Sequence, residues 1–333
     1  MAAISVKVRP MFFLVVFLLL ALILAFSVGS VPLSVFSVFS GSATDVERII
    51  FAEIRAPRVV LAAIVGASLA SSGAALQGVF RNPLGDPGLI GVSGGAGLGA
   101  ATAIFLGSAF NFSGWPVLYS IPLAAILGAS FVTFFLYKFT SYLGHFSIIT
   151  VLLVGIAINA FSTVGIMGFQ YLSDDAQLRS LVFWLMGSFA RAEWETVIPA
   201  ACIILSAVIM LYRQTRALDR LQLGESQAFH LGVDVKKLQR FIILSAAVSV
   251  GVGVALSGII GFVGLVVPHL IRLTLGVSHR ILVPASAILG AALMISADLA
   301  SRTLIAPIEL PVGIVTSAIG APFFLWLIAR AKH

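Results

Sequence analysis

The sequence predicts an all-α, polytopic membrane protein with about ten spanning helices. Three observations predict it. Of the 333 residues, 60% are hydrophobic and only 10% charged, whereas a soluble domain carries about 25% charged residues. Apolar runs near the roughly 20 residues that cross a bilayer recur from end to end. The charges between those runs are sorted by sign and side.

The first run, Met11 to Gly29, has no charge. It follows Lys7 and Arg9, as in a signal peptide, but such a peptide has an apolar core of only about 7–15 residues. A retained anchor is therefore expected. The spans read as 11–30, 58–78, 89–108, 117–137, 147–170, 195–212, 240–258, 262–276, 281–299 and 311–330, so residues 1–333 form a single transmembrane domain with both termini on one side. If that side is the cytoplasm, the inside segments hold Lys7, Arg9, Arg81, Lys138, Arg213, Arg216, Arg220, Lys236, Lys237, Arg240, Arg272, Arg280, Arg330 and Lys332, which is 14 of the 20 basic residues and every lysine. Nine of the 13 acidic residues fall outside. The asymmetry fits the positive-inside rule. It assigns the net charge of +7 to topology and contact with anionic membrane lipid, not to nucleic acid. Cys202, the single cysteine, excludes an internal disulfide.

Two non-membrane segments stand out. Residues 213–240 form the longest polar stretch, on the inside. Residues 172–195, on the outside, carry Asp174, Asp175 and the apolar patch Phe183 to Met186, which suits a short helix on the membrane surface with Trp184 at the interface. An inverted repeat is a further expectation. Ala70 to Gly73, Pro83 and Gly91 to Ser93 recur as Ala255 to Gly258, Pro268 and Gly276 to Ser278, and transporters often duplicate a five-helix half this way.

Several motifs test other chemistry. Gly91 to Gly99 fits a loose dinucleotide fingerprint, but no strand precedes it and no acid follows at the required distance. Gly91, Ser93 and Gly95 fit a nucleophile elbow, and within a membrane a rhomboid-like serine protease, which needs a histidine base on another span; His269 is the candidate. The alternative is packing: Gly91, Gly95 and Gly99 at i, i+4 and i+8 form a smooth stripe against a neighbouring helix. No Gly-Lys pair exists, so there is no phosphate-binding loop and ATP would bind a separate chain. The histidines, at 145, 230, 269, 279 and 333, are too scattered to ligate a metal. Spans nearly free of charge argue against a proton relay and for external energy. Residues 221–233 read as a short amphipathic helix between Gly224 and Gly232, with Ala228, Phe229, Leu231 and Val233 apolar. It is either an ordinary surface helix or one that docks in a partner's groove.

The chain resembles the FecCD family of ABC permeases, which serves ferric siderophores, heme and vitamin B12. The motifs carrying the match are Arg55-Ala56-Pro57-Arg58, then Gly73 and Gln77 leading into Arg81-Asn82-Pro83-Leu84 and Pro87. Leu223-Gly224-Glu225, Ala228 and Leu231-Gly232 follow, then Gly258 to Leu265 with Pro268-His269, Glu309 to Gly313 and Gly320 to Phe323. The resemblance implies a type II importer permease fold in the bacterial inner membrane and a homodimer around a central path. It also implies two cytoplasmic ATP-binding subunits and a periplasmic binding protein. It places Arg55, Arg58 and Arg302 at the outer rim, facing glutamates of the binding protein. Gly224, Glu225, Ala228, Leu231 and Gly232 would contact the ATPase. The fifth and tenth spans would line the path, with Asn159, Met167, Arg179 and Gly313 along it. No resident cofactor is implied; ATP stays on the partner, and heme enters as cargo.

Gly313, Gly320 and Pro322 offer the tenth span a hinge, or Pro322 only breaks it near its end. Ile156 to Ala160, Asp174 to Arg179 and Phe183 to Ser188 resemble the heme branch more than the siderophore branches, with B12 permeases similar at Leu178-Arg179. Arg179 would meet heme propionates, or pair with Asp174 or Asp175 one turn away.

Overall fold

The computed structural model describes residues 2–29, 33–107, 115–142 and 147–330. His145, Lys332 and His333 lie outside them, as do the side chains of Lys7, Arg9 and Arg330. All the regular structure described is helical.

The ten expected spans are α1 (Ala2–Ser27) and, after the short α2 (Val35–Phe39) and α3 (Asp45–Ile49), α4 (Ala56–Phe80), α5 (Val92–Gly107), α6 (Trp115–Tyr142) and α7 (Ile148–Leu172). Beyond α8 (Asp175–Met186) come α9 (Trp194–Arg213), then α10 (Thr215–Leu221) and α11 (Glu225–His230), and finally α12 (Val235–Ser257), α13 (Val263–Leu275), α14 (His279–Thr303) and α15 (Val312–Arg330). Six of the described helices are long and apolar enough to cross a membrane; Met11–Ser27, Val92–Gly107, Val263–Leu275 and Val312–Trp326 are apolar but shorter.

α4 is the central post, with α9, α12, α13 and α14 packed around it. Apolar residues occur all round it, as on a helix buried by its neighbours. Glycines set how close those neighbours come. A Cβ on Gly66 would lie 2.2 Å from the Gly290 carbonyl oxygen, and one on Gly290 2.3 Å from that of Gly66. At Gly73 a Cβ would stand 1.9 Å from the carbonyl oxygen of Gly264. Without a hydrophobic force between helices in lipid, such small-residue contacts are what hold them together.

The glycine stripe is partly as expected. Gly95 and Gly99 press on α6, where Cβ atoms would fall 2.7 Å from Gly128 O and 2.1 Å from Ala124 O. Gly91 is not part of it: it ends a 3-10 turn at φ +89°, a left-handed conformation that suits glycine, and faces Gly155 and Ile158 of α7. The proposed repeat pairs unlike elements. Pro83 lies in the loop after α4, whereas Pro268 lies inside α13.

Candidate functional site

At the outer end, by the positive-inside reading, three arginines gather, and two of them meet the end of α1. The last carbonyls of a helix lack partners within it. Arg302 donates to Ala25 O and Arg55 to Phe26 O, so both guanidiniums cap α1. Arg58 donates from Nε to both oxygens of Asp298 at 3.0 Å, and from Nη1 to Glu309 at 3.0 and 3.1 Å. Arg302 completes the cluster, 3.7 Å from Asp298. Two cations and two carboxylates thus neutralise one another where an unpaired charge would be costly.

Arg55, Arg58 and Arg302, the residues expected to face a binding protein, are the three arginines of this group. They stand together at the expected end, where Arg55 and Arg58 are buried, the Arg302 side chain is 8% exposed, and all three bond within the chain. Their partners Asp298 and Glu309 come from 240 and 251 residues away, a separation that motif reading does not bridge. The exposed arginines at this end are Arg48, Arg179 and Arg191.

Beside the cluster, α8 forms as a short helix with a capping box from Asp174 and Gln177. Leu181 is buried and Phe183 exposed. Its end is locked by close backbone approach. A Cβ on Gly258 would lie 2.1 Å from Trp184 O, and one on Gly313 2.3 Å from Met186 O. The Val312 N–H donates to Gly187 O at 2.9 Å. A cavity of about 270 Å³ opens here, lined by Phe183, Trp184, Arg191, Leu256, Glu309 and Pro311 among others. Arg179 has no ion pair with Asp174 or Asp175 within 4.0 Å among the described residues, and Asp174 accepts from the Gln177 N–H.

Along the expected path, α7 exposes Ile156, Phe161, Val164 and Met167. Asn159 is instead tied down, donating to Gly88 O at 2.9 Å. Gly320 is filled by a neighbour: a Cβ there would stand 2.4 Å from Phe262 Cβ. α15 runs through Pro322 without ending, so the proline does not break it. The break lies at residues 258–262, between α12 and α13, where Phe262 takes a left-handed φ of 68°, a strained conformation for an aromatic residue. Neither ring nitrogen of His269 has a hydrogen-bond partner, so His269 makes no hydrogen bond to Ser93.

At the inner end, α11 spans only Glu225–His230. Ala228 and Val233 turn inward and are buried, while Leu223, Phe229 and Leu231 project outward. Of the residues expected to contact the ATPase, Leu231 is thus exposed and Ala228 buried within the chain. Gly224 sits at φ +124° and Gly232 at φ +79° with open space beside it. Glu225 accepts from Gln239 at 3.3 Å and lies 3.8 Å from Arg81.

Sequence reading missed the joint next to it. α14 begins at His279, and its N-cap Ser278 makes no side-chain cap of its own. The cap comes from α10. Asp219 accepts from the His279 backbone N–H at 2.6 Å and the Ser278 hydroxyl at 3.0 Å, and its Oδ1 lies 2.9 Å from the His279 Nδ1. Gln222, also in this loop, donates to Gly78 O at 2.8 Å. The inner loop is thereby bonded to both α14 and α4, the two helices that carry the outer charge cluster.

The chain matches the FecCD transport family over residues 14–330. It belongs to that family. It is 42% identical over 330 residues to the hemin transport system permease protein HmuU of Yersinia pestis, covering 98% of each chain. It is also 42% identical over 304 residues to the vitamin B12 import system permease protein BtuC of Vibrio vulnificus, covering 91% of this chain and 88% of that one. A solved structure reported as an inward-facing conformation of a metal-chelate type ABC transporter superposes with a TM-score of 0.86 at 34% identity, covering 97% of this chain and 99% of that one. As a FecCD protein the chain is an integral membrane permease subunit of a type II ABC importer.

Proposed function

We propose that this FecCD permease carries heme across the bacterial inner membrane, with both of its termini in the cytoplasm. Two copies enclose the path, two ATP-binding chains seat on Leu223, Phe229 and Leu231, and a periplasmic heme-binding protein docks outside. The observation that carries the substrate reading is the outer cavity with its surroundings. Phe183 and Trp184 suit a flat apolar ring, and exposed Arg191 and Arg179 suit ionised propionates, since guanidinium binds carboxylate in a planar, two-bond geometry. The end-to-end similarity to a hemin permease supports the same reading. Vitamin B12 is the second reading, supported by equal identity to a B12 permease over a somewhat shorter stretch.

In the mechanism that follows, the binding protein seats over the Arg58–Asp298–Glu309 cluster, and Arg58 reaches a partner carboxylate by exchanging Glu309 for it. ATP binding moves α11 and α10, and Asp219 passes that movement to the N-terminus of α14. α14 transmits it along its glycine contacts with α4. Gly320 against Phe262 lets α15 shift relative to the 258–262 break. Purifying the chain with its native partners tests the proposal. An ATPase and a heme-binding protein should come with it; a B12-binding or siderophore-binding protein in that place would overturn the heme reading.

A further inference from the structure

The faces of α6 and α12 meet in a groove whose lining includes no residue of α7 or α15, the helices expected to line the path. Its walls repeat at helical spacing: Ile126, Thr133 and Tyr137 on α6, and Leu244, Val248 and Gly251 on α12. It encloses about 460 Å³. The Thr133 hydroxyl donates to Ala129 O at 2.8 Å, so that polar group is satisfied within its own helix. At 1.5 Å rise per residue the stretch from Arg240 to Val252 is about 18 Å long, close to the roughly 15 Å of one leaflet in a hydrocarbon core of about 30 Å.

One end of the groove is basic. The Arg240 guanidinium lies 5.9 Å from the Tyr137 ring centroid, and Lys138 Nζ lies 5.7 Å from that of Phe134. Arg240 also lines a smaller cavity that shares Thr133, Tyr137 and Leu244 with the groove. Lys236 and Lys237 are exposed at the start of α12. At the start of α12, Asp234 accepts from the Lys237 N–H at 3.0 Å, and Gln239 donates to Glu225 at 3.3 Å.

We infer that this groove binds one anionic phospholipid, with an acyl chain along α6 and α12 and its phosphate held by Lys138 and Arg240. Basic pockets between membrane helices on the cytoplasmic side bind anionic headgroups in this way. A second copy is the weaker occupant, because in a two-fold contact through this groove the basic cluster would face itself. The site rests on the membrane assignment alone and not on which substrate is carried. Because Gln239 on α12 bonds Glu225 of α11, a lipid lodged here bears on the helix next to the inner loop.

Native mass spectrometry of the purified complex, titrated with phosphatidylglycerol and phosphatidylcholine of identical chains, tests it. Phosphatidylglycerol should be retained at one tight site per chain, with a preference of about tenfold or more. Lys138→Gln with Arg240→Gln should abolish that preference, and Val248→Trp, at an exposed wall position, should remove the tight site for both lipids. Lys138→Gln alone carries the test if the double variant does not fold, and should still reduce the preference several-fold. Equal retention of the two lipids, or tight binding untouched by the variants, would overturn the inference. So would disulfide formation between two copies of Val248→Cys in a Cys202→Ser background, which would seat a second chain in the groove.

Discussion

Asp219→Ala removes the side chain that caps α14 from another element. Three donors lose their acceptor: the His279 N–H at 2.6 Å, its ring Nδ1 at 2.9 Å and the Ser278 hydroxyl at 3.0 Å. Loss of a cap costs about 0.5–2 kcal/mol, and a buried donor left unpaired costs about 1–3 kcal/mol. The His279 side chain is 4% exposed but that of Asp219 is 26% exposed, so water recovers part of the loss at the acceptor side. A net of about 2–3 kcal/mol at the joint follows, equivalent to roughly 30- to 150-fold in the population of the bonded state. Asp219→Asn keeps one acceptor oxygen and should lose only about 1 kcal/mol. The assay is substrate accumulated per ATP hydrolysed by the reconstituted complex. ATP hydrolysis should persist in Asp219→Ala while accumulation per ATP falls about tenfold or more, with Asp219→Asn between it and the parent. If Asp219→Ala folds and transports with parental stoichiometry, the joint does not transmit the stroke.

Three further outcomes follow. Asp298→Ala leaves Arg58 and Arg302 short of a carboxylate in a buried site and should cost about 3–5 kcal/mol, measurable as a lowered unfolding temperature in detergent. Gly73→Leu should disrupt assembly of α4 with α13, because even a Cβ there stands 1.9 Å from Gly264 O; a protein that folds with unchanged stability would show that the helices separate freely. Phe229→Ala should weaken ATPase association, whereas Ala228→Gly, at a buried position, should affect folding more than docking; binding assays with the ATPase separate the two.

The spans were legible because lipid makes apolar length a direct signal. Met11–Ser27 and Val92–Gly107 fall within a few residues of their expected positions. Part of the packing was legible too, since Gly95 and Gly99 at helical spacing do meet α6. The arginines were legible as a motif but not as a state. Arg58 is held by residues 240 and 251 positions away, and nothing local to Arg55 to Arg58 announces Asp298. The burial of Ala228 was not legible for a related reason. A six-residue helix is too short for its apolar positions to define one face, so packing against α10 and α12 decides which residues turn inward. Asp219 was invisible because a cap supplied by a different element leaves no pattern around Ser278.

The most direct test of the central claim is ATP-driven uptake into vesicles containing the purified importer, with heme, vitamin B12 and a ferric siderophore offered separately. Uptake of heme that requires ATP on the ATPase side, and that falls in Arg179→Gln while ATP hydrolysis and binding-protein docking persist, is the predicted result. Accumulation of vitamin B12 or the siderophore with heme ignored would contradict the account.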